Sequence, residues 1–413
     1  MLNLLTVRVL LASIYPFIFL LLFFTIPFDL YFRALPNVLL ILLAVLFPLV
    51  VTKNDFKKIK RVAGATWLLF FVYVAFLTLS LGRWELDWVV LKKILLAGAL
   101  VVLYLPVNNF KKINKAIIFS SLAAIIYSLF KLLILLNQGV EFSFLESAAV
   151  IEAILVDRIY LGLLAVLSIL VSYQELRNQY HPDNRYYLAN IIINVLFILF
   201  IVSRIAIITL LIIFILSLFH SKKRGPQILF ATGSILLAAT LAFVWNNDLR
   251  KKVFYSNNAE KHQGLVANTM AFEPRAIIWD CALQISKQKN NLLAGIGFSQ
   301  ANSDLAVCYD NTIKDEKKKQ WFIKQEYNVH NQFFDIYLAA GVGALVLFSL
   351  AILILFIRNR KSFYPSALLV TLVCFAMVEN VFHRQIGAYY VGFILLSLLI
   401  KNNIETENQS NQG

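Results

Sequence analysis

YLANIIINVLFILFIVSRIAIITLLIIFILSLFH runs from Tyr187 to His220, 34 residues in which Arg204 is the only full charge. A helix rises about 1.5 Å per residue and the hydrocarbon core of a bilayer is about 30 Å thick, so the stretch is too long for one crossing. It suits two short crossings if the chain reverses at Ser203-Arg204. An arginine at the bilayer centre costs roughly 2.5 to 3.5 kcal/mol on insertion and far less at the mouth of a hairpin. The stretch therefore predicts two spans sharing one tight turn, with Arg204 at the mouth to meet headgroups or an anion.

The rest of the chain has the same character. It is 60% hydrophobic and 15% charged, with a mean hydropathy of +0.74. That balance excludes an ordinary soluble domain. The apolar runs are continuous, not alternating, so helices and not barrel strands satisfy the backbone in lipid. About twelve spans follow, over 9–30, 37–52, 64–82, 88–105, 115–136, 157–173, 187–202, 204–220, 227–246, 331–357, 363–381 and 386–400. The class is all-α, a polytopic integral membrane protein. The first span lacks a basic leader and a small-residue cleavage site, so it reads as retained.

Charge sets the expected orientation. With the N-terminus inside, the inner loops TKNDFKKIKR, NNFKKINK, QELRNQYHPDNR, HSKKRGP and IRNRKS, with Arg8 and Lys401, hold 18 Lys and Arg; the short outer loops hold Arg33, Arg83, Arg158, Arg204 and Arg384, plus Lys92 and Lys93 near a span end. Positive-inside asymmetry thus predicts a multi-pass protein with both termini cytoplasmic. The net charge of +15 needs no nucleic-acid partner; it reports topology and contact with membrane lipids.

Four parts result: spans one to nine in 1–246, an outer loop domain in 247–330, three more spans in 331–400, and a cytoplasmic tail in 401–413. The loop, about 80 residues, is too long for a connector. AFEPRAIIWDCALQISKQ predicts a helix with Pro274 in its first turn, and LLAGIGFSQANS a glycine-permitted turn. Cys281 and Cys308 both fall in this loop, where an oxidising compartment allows a disulfide, and the sequence leaves the bridge open. Cys374 lies in a span and reads as a packing residue.

Candidate site residues gather at the outer face. Arg275 opens the loop helix in EPRAIIWD, where helix N–H groups also favour anions. Arg158, in LVDRIYLG, either binds substrate or pairs with Asp157 or Glu152. ENVFHRQIG adds Glu379, His383 and Arg384. Of five histidines, only His330 and His383 combine the outer face with a span end. In NVHNQFFDIYLAAGVGALVLF, His330 and Asn331 precede an apolar helix interrupted by Gly341 and Gly343. No zinc-like pattern occurs, and Glu85-x-Asp87 reads as a hydrated surface pair and not a metal site.

SRIAIITL at 203–210, PRAIIWDCAL through LLAGIGFSQ at 274–300, and HNQFFDIYLAAGVGAL at 330–345 occur in that order. With them the chain resembles the O-antigen ligase and O-antigen polymerase superfamily, membrane glycosyltransferases of the bacterial envelope. The resemblance implies transfer of a glycan from undecaprenyl pyrophosphate, without cofactor or metal, at the periplasmic face of the inner membrane. In ligases the acceptor is a sugar hydroxyl of lipid A-core, and in polymerases another lipid-linked repeat unit. It further implies that His330 is the general base, that Arg204 and Arg275 receive the pyrophosphate, that Asn331 orients the base or a sugar, and that the reaction inverts the anomeric carbon. A polymerase, a ligase that decorates protein hydroxyls, and a lipid-linked oligosaccharide flippase remain as alternatives. The identity of the sugars and the oligomeric state are not encoded in any motif.

Overall fold

The computed structural model describes residues 4–29, 31–32, 34–107, 109–138, 157–177, 181–220, 274–289 and 293–401. Among them lie fourteen α-helices and no strand: α1 (Leu4–Thr25), α2 (Leu35–Val50), α3 (Arg61–Ser80), α4 (Trp84–Leu103), α5 (Phe110–Asn137), α6 (Arg158–Glu175), α7 (Asn184–Phe200), α8 (Arg204–His220), α9 (Pro274–Lys289), α10 (Phe298–Thr312), α11 (Glu316–Lys324), α12 (Gln332–Asn359), α13 (Phe363–Ala376) and α14 (Gln385–Leu399). Eleven of the twelve expected spans coincide with α1 to α8 and α12 to α14; the ninth, over 227–246, lies outside the described residues. Five helices, α1, α3, α5, α6 and α12, are long and apolar enough to cross a membrane, and α2, α7, α8, α13 and α14 are shorter apolar helices. The chain is an all-α membrane protein.

Packing follows the apolar pattern of each helix. α6 and α14 are buried on nearly every side, as expected of helices that are apolar all round. α2, α3 and α7 instead expose apolar side chains such as Ile41, Phe76 and Leu196, a surface suited to lipid. Where α5, α6 and α7 meet, polar groups bind to one another. Ser121 donates to Asn194 at 2.6 Å, and the Asn190 amide donates to Ser168 at 2.9 Å and Ser172 at 2.7 Å. Each such bond between membrane helices is worth about 0.6 to 2 kcal/mol, enough to fix their register.

The bundle has two distinct ends. At one, Arg8 reaches the Val51 carbonyl, His220 meets the Arg360 carbonyl at 3.0 Å, Asn114 donates to Glu175, and Lys401 N–H pairs with the Lys58 carbonyl. Among the described residues, the basic stretches at 53–61, 111–115 and 358–361 lie at this end. At the other end lie the starts of α4, α6, α8, α12 and α14, with Arg83, Arg158, Arg204 and Arg384. The α7–α8 hairpin turns at this second end through Val202, whose φ of +49° is left-handed. Ser203 is buried against Gly162 of α6, leaving Arg204 exposed as the first residue of α8.

α9, α10 and α11 form a small unit on the same end. Ile278, Ala282, Leu305, Tyr309 and Phe322 fill its core, and a disulfide joins Cys281 to Cys308 across a separation of 27 residues. By loop-closure entropy such a link contributes about 3 to 4 kcal/mol. Helix α12 opens to receive the unit. Gly341 has a φ of +78°, which breaks the helix and withholds the N–H groups that would bond Leu338 and Ala339. Ile296 N–H and Gly297 N–H take those two carbonyls at 2.8 and 2.9 Å. A Cβ at Gly341 would strike the Leu293 carbonyl, and Gly295 lies equally close to the Ala339 backbone. Gly343 packs against Tyr73 of α3, whereas Gly341 admits the loop.

The expected surface pair also needs correction. Asp87 is buried, and its Oδ1 accepts Ser299 N–H at 2.8 Å, capping α10 from a neighbouring helix. Arg83 donates to the Ala294 and Gly295 carbonyls beside it. The pair is a clamp between α4 and the loop unit. Only Glu85 is exposed.

Candidate functional site

The span expected over 363–381 stops early, because α13 ends at Ala376 and residues 377–384 form a non-helical turn. Non-helical backbone near a membrane persists only where protein satisfies it. The segment before α12 does this. Asn331 N–H donates to Asn380 Oδ1 at 2.7 Å, and Gln332 Oε1 accepts Phe382 N–H at 3.0 Å. The two turns are therefore stitched together, which brings His330 and Glu379 into contact although 49 residues separate them.

His330 sits in a left-handed conformation, φ +48°, with its backbone N–H on Asn328 Oδ1 at 3.0 Å. Its Nδ1 lies 3.2 Å from Glu379 Oε2. The imidazole side chain is 21% exposed and the carboxylate 6%, so the acid forms the floor and the ring the mouth. On one side the ring meets Tyr327, centroids 5.5 Å apart. Burial pushes the Tyr327 phenol up, against the nearby Arg275 charge that pulls it down. The ring beside the histidine is thus a neutral one.

Arg275 and Trp279 stand one helical turn apart on α9 and so share a face. Arg275 Nη2 donates to the Val378 carbonyl at 3.4 Å, next to Glu379, and Trp279 Nε1 donates to the Val329 carbonyl at 3.0 Å, next to His330. One helix face thus grips both turns, a physical reason for the Arg-x-x-x-Trp spacing.

The remaining expected residues divide. Arg384 pairs with Asp157 at 3.6 Å and lies over the Tyr160 ring at 5.8 Å, while Asp157 caps α6 through Ile159 N–H. Arg158 follows Asp157 at the start of α6, and Arg204 opens α8 at the same end; Glu152 lies outside the described residues. Asn331 caps α12, its Oδ1 accepting Phe333 and Phe334 N–H at 3.0 and 3.1 Å. His383, expected to meet substrate, turns inward. Its Nε2 bonds buried Asp335 Oδ2 at 2.9 Å, and its carbonyl accepts from Lys93.

Asp335 is the side chain a sequence reading passes over, and Glu379, noticed there with His383 and Arg384, has its partner revealed only by the fold. An acid at the end of an apolar span is costly unless partnered, and that cost was their visible signal. Among the described residues no group of three or more His, Cys, Asp and Glu is arranged to hold a metal.

No curated protein matches the chain. A family model described as O-antigen ligase matches residues 189–349, from within α7 to within α12, a stretch that contains Arg204, Arg275 and His330. Over those residues, on this all-α membrane scaffold, the chain is similar to the O-antigen ligase family, which supports a glycosyltransferase of the O-antigen ligase and polymerase type.

Proposed function

We propose that the protein is an O-antigen ligase that moves a glycan from undecaprenyl pyrophosphate to a sugar hydroxyl of lipid A-core, at the periplasmic face of a bacterial inner membrane. The observation that carries this reading is the His330–Glu379 pair at the mouth of the bundle, with Arg275 bonded to the adjoining residue. Support for the orientation comes from the segregation of basic loops to the opposite end and from the disulfide of the loop unit, which suits an oxidising compartment. The same orientation puts both termini in the cytoplasm.

The chemistry follows from the pair. With Nδ1–H donated to Glu379 Oε2, Nε2 of His330 keeps its lone pair, on a side chain that is partly exposed. Nε2 removes the proton from the acceptor hydroxyl as its oxygen attacks the anomeric carbon, and Glu379 stabilises the imidazolium so formed. The bond from the anomeric carbon to the diphosphate breaks, and the electron pair leaves with the diphosphate. Guanidinium groups receive that charge as it grows. Arg275 bonds the carbonyl of Val378, next to Glu379, and Arg158, Arg204 and Arg384 stand at helix starts on the same end. Attack opposite the leaving group inverts the anomeric carbon.

A purified assay with defined lipid-linked donor and lipid A-core acceptor tests this. Arg275→Ala abolishes transfer in a folded protein, and Arg204→Lys, which keeps the charge and loses the fork, lowers it. Full activity of both variants overturns the arginine assignment. EDTA leaves turnover unchanged; a loss restored by magnesium would overturn the metal-free mechanism. A deletion strain separates the acceptors. Bare lipid A-core with long lipid-linked chains retained marks a ligase, and core bearing a single repeat unit marks a polymerase.

A further inference from the structure

The outer-loop unit buries Tyr309 and Phe322 yet leaves its two tryptophans, Trp279 and Trp321, 36% and 44% exposed. Lipid accounts for exposed aromatics on the spanning helices, but these two stand on α9 and α11, outside the spans. Trp279 bonds the residue next to the base, and Trp321 reaches the base through Tyr327. Trp279 Nε1 is fixed on the Val329 carbonyl. Trp321 packs edge-on against Tyr327 at 5.2 Å, and Tyr327 meets His330 at 5.5 Å. The rings form a continuous step from the water-facing rim of the loop unit to the imidazole. Tyr327 is itself held, its carbonyl accepting from the Tyr309 hydroxyl at 3.1 Å.

We propose that this aromatic rim, with Trp321 as its platform, is the subsite for a sugar ring of the acceptor glycan. The π face of an aromatic ring is electron-rich and attracts the C–H face of a pyranose, whose hydroxyls stay at the edge and free to react. Tyrosine and tryptophan offer such area at little entropic cost because they have two side-chain torsions. The assignment to acceptor and not donor follows from the base. Nε2 must touch the attacking hydroxyl, and the aromatic step is contiguous with that imidazole. The donor's diphosphate belongs with Arg275, on the Val378 side of the pair, and with the arginines at the starts of α6, α8 and α14. This inference rests on His330 as base, and its test is chosen to stand apart from that assignment.

Steady-state kinetics of the full-length protein in detergent, with donor and acceptor varied separately, reads the subsite. Trp321→Ala raises the acceptor KM about threefold to tenfold, the weight of one aromatic contact. It leaves the donor KM and kcat within experimental error, and Trp321→Phe restores most of the loss. An unchanged acceptor KM, a rise confined to the donor KM, or an equal loss of kcat in both variants overturns the proposal. A binding titration with lipid-free core oligosaccharide, carried out in the His330→Ala background, separates the two ideas. Saturable binding that Trp321→Ala weakens supports the platform even where the base assignment has failed. No saturable binding, or equal binding by the two proteins, overturns the platform alone.

Discussion

Two histidines near the outer ends of spans each meet a carboxylate, His330 on Glu379 at 3.2 Å and His383 on Asp335 at 2.9 Å. The pairs differ in what is left over. His330 engages the acid through Nδ1 and keeps its side chain 21% exposed, in a left-handed turn with an aromatic ring on one side. His383 engages through Nε2 and is 9% exposed over an acid with no exposure at all; that acid also accepts from Gln332, and Lys93 holds the histidine carbonyl. The first arrangement leaves a ring nitrogen able to meet a substrate. The second ties α12, α4 and the 377–384 turn together, work that supports the first. Residue type and position along the chain are shared, so burial and backbone conformation assign the roles.

Substitutions at each pair sharpen the contrast, and the largest effect falls on the exposed one. His330→Ala lowers transfer by about 10²- to 10⁴-fold, the usual worth of a general base, while the purified protein keeps its thermal unfolding profile. Glu379→Gln keeps the shape but loses the charge that holds the Nδ1 proton, and turnover falls by more than about tenfold without a matching rise in acceptor KM. Asp335→Ala does the reverse. It leaves His383 and Gln332 without their buried acceptor and destabilises the fold by roughly 3 kcal/mol, read as earlier unfolding in detergent, while transfer per folded molecule stays within a fewfold. The contrast breaks if Asp335→Ala silences a fully folded protein. Gly341→Ala strains the break in α12 by about 1 to 2 kcal/mol before the clash with Leu293 is counted, and the loop unit loosens, which limited proteolysis detects. Lys317→Ala, on the exposed helix α11, changes neither rate nor stability by more than about 0.5 kcal/mol.

Much of the scaffold was legible because lipid imposes a simple rule. Runs of apolar residues marked α1 to α8 and α12 to α14 within a few residues, and one arginine inside a 34-residue run marked the α7–α8 turn. Arg275, His330 and the cysteines were legible as candidates through their place in the outer segment. Partners were not. Glu379 reaches His330 only because α13 unwinds after Ala376, and it unwinds because Asn380 and Phe382 find bonds on the segment before α12. Asp87 reads as a surface acid until the start of α10 is known to lie against it. These are contacts between distant parts of the chain, and no local period or composition announces them.

The central claim is that arginines and the His330–Glu379 pair enclose one diphosphate-linked sugar. A structure of the protein with an undecaprenyl-pyrophosphate-linked glycan bound tests it most directly. The account predicts the diphosphate within hydrogen-bond reach of Arg275, with the anomeric carbon facing His330 Nε2. A diphosphate seated at the opposite end of the bundle, among Lys58, Arg360 and Lys401, would contradict it.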